Sequence, residues 1–347
     1  RYEKAIASYK DYFSSNGEKI RLFSAPGRTE VGGNHTDHNC GKVLAASVDM
    51  DIIAVVEPLD DPIAVVKSEG FDESWILLEE LDVVESEKNT TNALIRGVAK
   101  GFKNKGLKVG GFKAYATSNV LKGSGLSSSA AFENLIGTIF SYLYNEGKVN
   151  PVKIAQISQY AENVYFGKNS GLMDQTVSSV GGLVFIDFFD TEEPKVESFN
   201  CDFEEYGYCL CITDTKSSHA DLTEDYTAIR SEMESVAREF GKPHLRFVSE
   251  VAFYNEIPRI REKCSDRAII RAAHFFEENS RAKFEASALR DGNMEYFLEL
   301  VRKSGHSSAT LLQNQFSCSD ETKQAIPLAI MMSRKFLFDK GAVRVHG

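Results

Sequence analysis

The stretch Gly123-Ser124-Gly125-Leu126-Ser127-Ser128-Ser129-Ala130-Ala131 constrains this chain more than any other, because it compresses glycines, hydroxyls and the start of a helix into one segment. Glycines at 123 and 125 allow backbone conformations closed to other residues and let N–H groups come close to a ligand. Ser127, Ser128 and Ser129 offer N-cap and ligand oxygens, and Ala130 to Ile136 continue as a helix. A helix entered this way points unpaired N–H groups and a partial positive charge into the loop, which suits an anion and, most commonly, a nucleotide phosphate. Two other phosphate signatures are absent. No Lys follows Gly125 as a P-loop requires, and Ser128 stands where a dinucleotide fingerprint needs its third glycine. A Ser-capped helix after a flexible loop is the alternative reading of the same residues.

Around this cradle the chain reads as a mixture of strands and helices. Residues 1 to 16 space Tyr2, Ile6, Tyr9 and Phe13 as an amphipathic helix, and Ile20 to Ala25 reads as a strand broken by Pro26-Gly27. Arg28 to Gly41 is then a polar loop with several ionisable groups, followed by a buried β-branched run from Val43 to Glu57. A loop held between buried strands favours a site over a solvated surface. Further strands are expected at 63–67, 74–78, 110–118, 183–187 and 208–213, the third feeding directly into the cradle. Helices are expected over 92–102, 131–145, 151–166, 219–240, 266–290, 293–303 and 321–338. The charged, proline-containing run Asp190 to Pro194 marks a boundary between a domain of residues 1–190 and one of residues 191–347.

Two residues have competing readings. Asp174, in the polar break Ser170-Gly171-Leu172-Met173-Asp174-Gln175, is either a helix N-cap or a functional carboxylate. Tyr226 shares helical spacing with Ile229, Met233 and Val236, which makes it a core residue on pattern alone.

Composition narrows the partners. A formal charge of -10 over 347 residues disfavours nucleic acid, and no apolar run approaches the ~18 residues needed to cross a membrane. The N-terminal Arg-Tyr-Glu-Lys-Ala has no signal-peptide core, and the six cysteines form no Cys-x-x-Cys pair, so a cytoplasmic protein without disulfides is expected. His35-Thr36-Asp37-His38 lacks the second cluster that a zinc site needs.

In this order and spacing, Gly27-Arg28 with His35-Thr36-Asp37 and Asn39, the Gly-Leu-Ser-Ser-Ser-Ala-Ala cradle and Gly171-Leu-Met-Asp174-Gln175 form a pattern that resembles the GHMP family of small-molecule kinases and, within it, the galactokinases. His219-x-x-Leu222 with Tyr226 and Arg230, and Arg271-Ala-x-His274, are similar to C-terminal segments of that family. The resemblance implies an α+β fold of two domains with the active site in the cleft between them. It also implies transfer of the ATP γ-phosphate to the anomeric hydroxyl of galactose. By the same resemblance Asp174 is the base, Arg28 stabilises charge, and Ser129 helps hold Mg2+. The nucleotide loop is Gly123, Ser124, Gly125, Leu126, Ser127, Ser128, Ser129 and Ala130, and the sugar contacts are Asn34, His35, Asp37, the backbone of Gly171, and Tyr226. Such parts suit phosphoryl transfer, which depends on positioning and charge neutralisation.

Three positions depart from the family pattern: Asn34 stands for Glu, His38 for Tyr and Glu30 for Asn. The family's third, glycine-rich motif is not in the sequence, which stops at what resembles its first glycine, so the C-terminal domain is expected to be cut there. The alternatives are a 1-kinase for another galactose-like sugar and a non-catalytic galactose and ATP sensor. The complete Ser128-Ser129-Ala130 run favours an enzyme over the sensor.

Overall fold

The computed structural model describes residues 1–120, 125–216, 223–316, 321–322 and 324–346. Gly123, Ser124, His219 and Leu222 therefore lie outside the described residues. The chain divides into two compact units, each assembled from separate stretches: Arg1–Arg28, Ser47–Lys122 and Leu126–Gly181 in the first, and Thr29–Ala46, Gly123–Gly125 and Gly182–Gly347 in the second. The first is built from α1 (Tyr2–Phe13), parts of β1 (Arg21–Gly32) and β2 (Lys42–Leu59), β3 (Ile63–Ser68), β4 (Glu73–Leu77), α2 (Thr91–Asn104), β5 (Gly111–Ser118), α3 (Ser128–Tyr144), α4 (Pro151–Tyr160) and α5 (Met173–Val180). Strand order here is β4-β3-β5-β2, with β3 and β5 parallel and the other pairs antiparallel.

Period-two alternation explains how this sheet is covered. Phe112, Ala114 and Ala116 of β5 are buried on one face, where Phe112 meets Phe140 of α3 edge-on at 5.5 Å. Tyr115 points the other way, into a cluster with Ala5 and Tyr9 of α1 and Ile53 and Val55 of β2.

The second unit contains the rest of β1 and β2 with β6 (Leu183–Asp187), β7 (Lys195–Phe199), α6 (Thr223–Glu239), α7 (Glu250–Asn255), α8 (Ile257–Ile260), α9 (Asp266–Arg290), α10 (Met294–Ser307) and α11 (Ala325–Leu337). The start of β2 pairs with β6, Lys42 opposite Asp187 through Ala46 opposite Leu183, and β6 pairs with β7. Leu44, Ala46, Leu183 and Phe185 pack against Ala286 and Leu289 of α9 and Phe297 and Val301 of α10. A separate cluster joins Ile229, Met233 and Val236 of α6 to Ala272, Phe275 and Phe276 of α9.

Three local expectations are corrected. Pro26-Gly27 does not end the first strand, because β1 continues to Gly32 and carries Arg28, Thr29 and Glu30 in buried positions. Proline is tolerated where its missing N–H leaves no ladder bond broken, and the carbonyl of Pro26 accepts from Ser178 Oγ at 2.7 Å. The apolar run 208–213 forms no strand; Cys209, Leu210 and Cys211 are exposed there, and the strand lies upstream as β7. The helix expected over 151–166 ends as α4 at Tyr160 and widens into a π-helical turn over Ala161–Phe166, a distortion common at functional sites.

Candidate active site

Gly27 determines how the cradle is placed. A Cβ at this position would sit 2.9 Å from the carbonyl oxygen of Leu126, so only glycine lets β1 run this close to the loop before α3. The approach is fixed by Arg28 N–H donating to that same oxygen at 3.1 Å. Ser127 follows with φ 56° and ψ 60°, a left-handed conformation that costs a non-glycine residue about 1–2 kcal/mol. It occupies the N-cap position of α3 without making a side-chain cap bond. Its hydroxyl donates instead to Asp174 Oδ2.

Asp174 is not an N-cap. That position of α5 belongs to Leu172, and Asp174 lies inside the first turn with its carboxylate turned to Arg28. Arg28 Nε donates to Oδ1 at 2.7 Å, and Nη2 lies 2.6 Å from Oδ2, a bidentate pair from a guanidinium side chain only 7% exposed. Burial pushes the Asp174 carboxyl upward, but Arg28, the Ser127 hydroxyl and Lys168 outweigh it and hold the group below the usual carboxylate range. An ionised carboxylate beside a fixed guanidinium and a loop leading into a helix N-terminus can accept a proton while charge on a transferring group is offset.

Close to this pair, Ser129 Oγ donates to Glu162 Oε1 at 2.9 Å, and Lys168 Nζ lies 3.1 Å from the same oxygen. Gln175 Nε2 bridges Glu162 Oε2 and Glu133 Oε2. Burial, then the charge of Glu162, pushes the Glu133 carboxyl well above its ordinary range, so it stays neutral. A serine hydroxyl and an acidic oxygen from two different helical segments form the hard-oxygen donor set that Mg2+ takes alongside nucleotide phosphates. Ser129 therefore fits the role expected of it, with Glu162 as a companion.

In the second unit, Gly33 has φ 91°, and a Cβ there would lie 2.4 Å from the Lys42 carbonyl oxygen, which obliges the chain to turn sharply after β1. Asn34 follows, fully buried. Its Nδ2 donates to Glu30 Oε1 at 2.9 Å, its Oδ1 accepts from Asn314 Nδ2 at 2.8 Å and from Ser308 Oγ at 3.3 Å, and its carbonyl accepts from His274 Nε2 at 2.9 Å. His35 has φ 56°, and its ring lies 5.5 Å from that of Tyr226 and 5.6 Å from that of His38. Burial pushes the His35 imidazole down to about 3, helped by His274, Arg271 and Arg344. The ring is thus neutral, and its buried Nε2 has no hydrogen-bond partner among the described residues. Asp37 opens the following turn, its Oδ1 accepting from His38 N–H at 2.8 Å. Tyr226 is 45% exposed against His35, which corrects its assignment to the core.

Residues 7–58 match the profile of the galactokinase galactose-binding signature, and residues 93–182 match that of the GHMP kinase N-terminal domain. The chain thus carries a galactokinase galactose-binding signature and a GHMP kinase N-terminal domain. Three solved structures carry the same fold. Lactococcus lactis galactokinase, solved with galactose, is 21% identical with a TM-score of 0.81 over 96% of this chain and 84% of its own. Methanococcus jannaschii mevalonate kinase is 14% identical with a TM-score of 0.60 over 95% and 88%. A D-glycero-D-manno-heptose 1-phosphate kinase from Bacteroides thetaiotaomicron is 14% identical with a TM-score of 0.54 over 84% and 79%. The expected two-domain α+β GHMP kinase fold is borne out.

In this chain Arg28, Asp174, Gly171, Leu126, Ser127, Ser128, Ser129 and Ala130 all belong to the first unit, and Asn34, His35, Asp37, Gly125 and Tyr226 to the second. Sequence reasoning missed Glu162, Lys168 and Glu133. Glu162 and Glu133 sit in helical runs whose spacing says only that a face is buried, and a buried charge has no sequence signature of its own. It also missed Glu278, whose Oε1 accepts from the Gly33 and Asn34 N–H groups at 3.1 and 3.4 Å and so braces the turn that carries His35. Among the described residues no helix is long and apolar enough to cross a membrane.

Proposed function

We infer that this chain is a galactokinase that transfers the γ-phosphoryl group of ATP to the anomeric hydroxyl of galactose, with Asp174 as the base and Arg28 as the charge stabiliser. The observation that carries the assignment of roles is the bidentate pairing of Arg28 with Asp174, completed by the Ser127 hydroxyl. As the sugar oxygen attacks phosphorus, its O–H bond breaks and the proton passes to the Asp174 carboxylate. The bond between the γ-phosphorus and its bridging oxygen breaks, and ADP leaves with that electron pair. Arg28 keeps Asp174 ionised beforehand and offsets the charge on the moving phosphoryl group. The cradle residues from Leu126 to Ala130 bind the nucleotide through backbone N–H groups at the start of α3. Ser129 and Glu162 would hold Mg2+, which when bound neutralises phosphate charge.

His35, Asp37, Tyr226 and the Gly171 backbone are the proposed sugar contacts. The unpartnered His35 Nε2 supports this, since a buried polar atom calls for a hydrogen-bonding ligand. Asn34 acts behind them, holding the turn. The proposed setting is the cytoplasm, in keeping with dispersed cysteines. The test is a panel of hexoses with ATP and Mg2+, following ADP release. Galactose should give the fastest turnover, and a chain that ignored galactose while using another hexose would be a different sugar kinase.

A further inference from the structure

Glu162 is the meeting point of groups from three segments. Its Oε1 receives the Ser129 hydroxyl and the Lys168 ammonium, and its Oε2 receives Gln175 Nε2 at 2.8 Å. The same amide nitrogen bonds Glu133 Oε2 at 3.2 Å, so one side chain gathers two buried carboxyls. Glu133 Oε1 and Gln175 Oε1 are buried without a hydrogen-bond partner among the described residues. With Glu133 neutral and carrying its own proton, Gln175 Oε1 is still a buried acceptor without a donor among the described residues, and an unpaired acceptor beside the Glu162 carboxylate is the condition a cation relieves.

Lys168 is built differently from the groups it meets. Its side chain is 56% exposed, against 2% for Glu162. Its backbone is fixed: Lys168 N–H donates to the Glu162 carbonyl at 3.1 Å, and two residues on Ser170 N–H donates to Asn163 Oδ1 at 2.9 Å while the Ser170 carbonyl accepts from Gln159 Nε2 at 3.1 Å. A fixed backbone with a solvated four-carbon stem lets the ammonium swing without disturbing the loop.

We propose that Lys168 is a phosphate-binding residue that alternates with the divalent cation at Glu162. It holds Glu162 Oε1 while the site awaits nucleotide and turns to the phosphate oxygens at the start of α3 when the metal takes its place. The proposal rests on the kinase reading above. A doubly charged ion on Glu162 and Ser129 repels the ammonium from that oxygen, and the phosphates arriving with the metal are the new anions within its reach. Ser129 connects the two states, since its hydroxyl shares Glu162 Oε1 with Lys168 and it stands in the first turn of α3.

The experiment compares the unmodified chain with Lys168→Met and Lys168→Arg, each checked for an unchanged thermal midpoint. Mn2+ binding is followed by electron paramagnetic resonance with neither nucleotide nor sugar, and MgATP binding by calorimetry without sugar. In Lys168→Met, Mn2+ affinity should rise about two- to fivefold as the half-exposed ammonium stops competing for Glu162. MgATP affinity should fall ~tenfold or more as a charged contact is lost. Lys168→Arg, which keeps the charge, should lie between the two for both ligands. If the two affinities of Lys168→Met do not move in opposite directions, the proposal is overturned. ADP release by the unmodified chain with galactose tests the kinase reading separately, because neither binding measurement contains sugar.

Discussion

Arg28 and Asp174 are 146 positions apart in sequence and are joined by two charge-assisted bonds, at 2.7 Å to Oδ1 and 2.6 Å to Oδ2. The pairing fixes the direction of the carboxylate and its protonation together. Burial alone would raise the Asp174 carboxyl, and the guanidinium reverses that. With the folded-state value depressed, the base form persists as pH falls, and the stability it contributes is present above the unfolded value and lost as pH drops through the folded one. Arg28→Met leaves burial opposed only by the Ser127 hydroxyl and Lys168, so the acid limb of kcat/KM should move to higher pH by about one unit or more. A pH profile of the residual activity measures this, and an unmoved limb would assign the limb to another group.

Asp174→Ala should lower turnover by at least the ~10²-fold typical of losing a general base, with ATP still bound. Single-turnover kinetics beside a nucleotide titration separate these effects. Near-normal turnover in a folded variant would mean that Asp174 serves only to bind Arg28.

Ser129→Ala removes the hydroxyl from Glu162 Oε1, the oxygen proposed for the metal. The KM for MgATP should rise about ten- to a hundredfold, matching the ~1.5–3 kcal/mol of a hydrogen bond to a charged group, while galactose affinity measured without nucleotide stays within about twofold. An equal loss of both would point to damage in the loop.

Glu30 and Asn34 exchange the residue types that the galactokinase pattern has at these positions, and in the structure they bond each other at 2.9 Å. Asn34→Glu would place a second buried carboxylate against Glu30 in a fully enclosed position. It should destabilise the fold by about 3 kcal/mol, the usual consequence of an uncompensated buried charge. Glu30→Asn combined with Asn34→Glu should recover about 1–3 kcal/mol relative to the sum of the single changes. Urea unfolding of the four proteins in the cycle gives the coupling energy, and simple additivity would refute a direct dependence.

Glu285 on α9 is fully buried, and both of its carboxyl oxygens lack hydrogen-bond partners among the described residues. Burial, with Glu278 beside it, holds its carboxyl well above the ordinary range. The folded chain keeps a proton that the unfolded chain releases, so this group makes stability decline as pH rises from the unfolded value toward the folded one. Glu285→Gln should flatten that decline. Unfolding free energies at about pH 5 and pH 8 would show it as a smaller difference than in the unmodified protein.

Much of the local structure around the proposed nucleotide site was legible in the sequence because its parts are local. A glycine-serine run ahead of a helix, an alternating strand feeding it and Asp174 in the first turn of a helix are all contained in short windows. The α9 helix was legible for the same reason, since its length and periodicity fix its ends at 266 and 290. The continuation of β1 through Pro26-Gly27 was not, because whether a proline breaks a strand depends on which ladder bond it would have made. Pattern placed Tyr226 in the core, and only the fold set its ring against His35. The role of Ser127 was decided in three dimensions too: the sequence offered a cap, and the fold turned its hydroxyl to Asp174. Glu162, Lys168, Glu278 and Glu285 had no sequence signal. A carboxylate looks the same in sequence whether solvated or enclosed, and its burial, partners and protonation arise only when distant segments pack together.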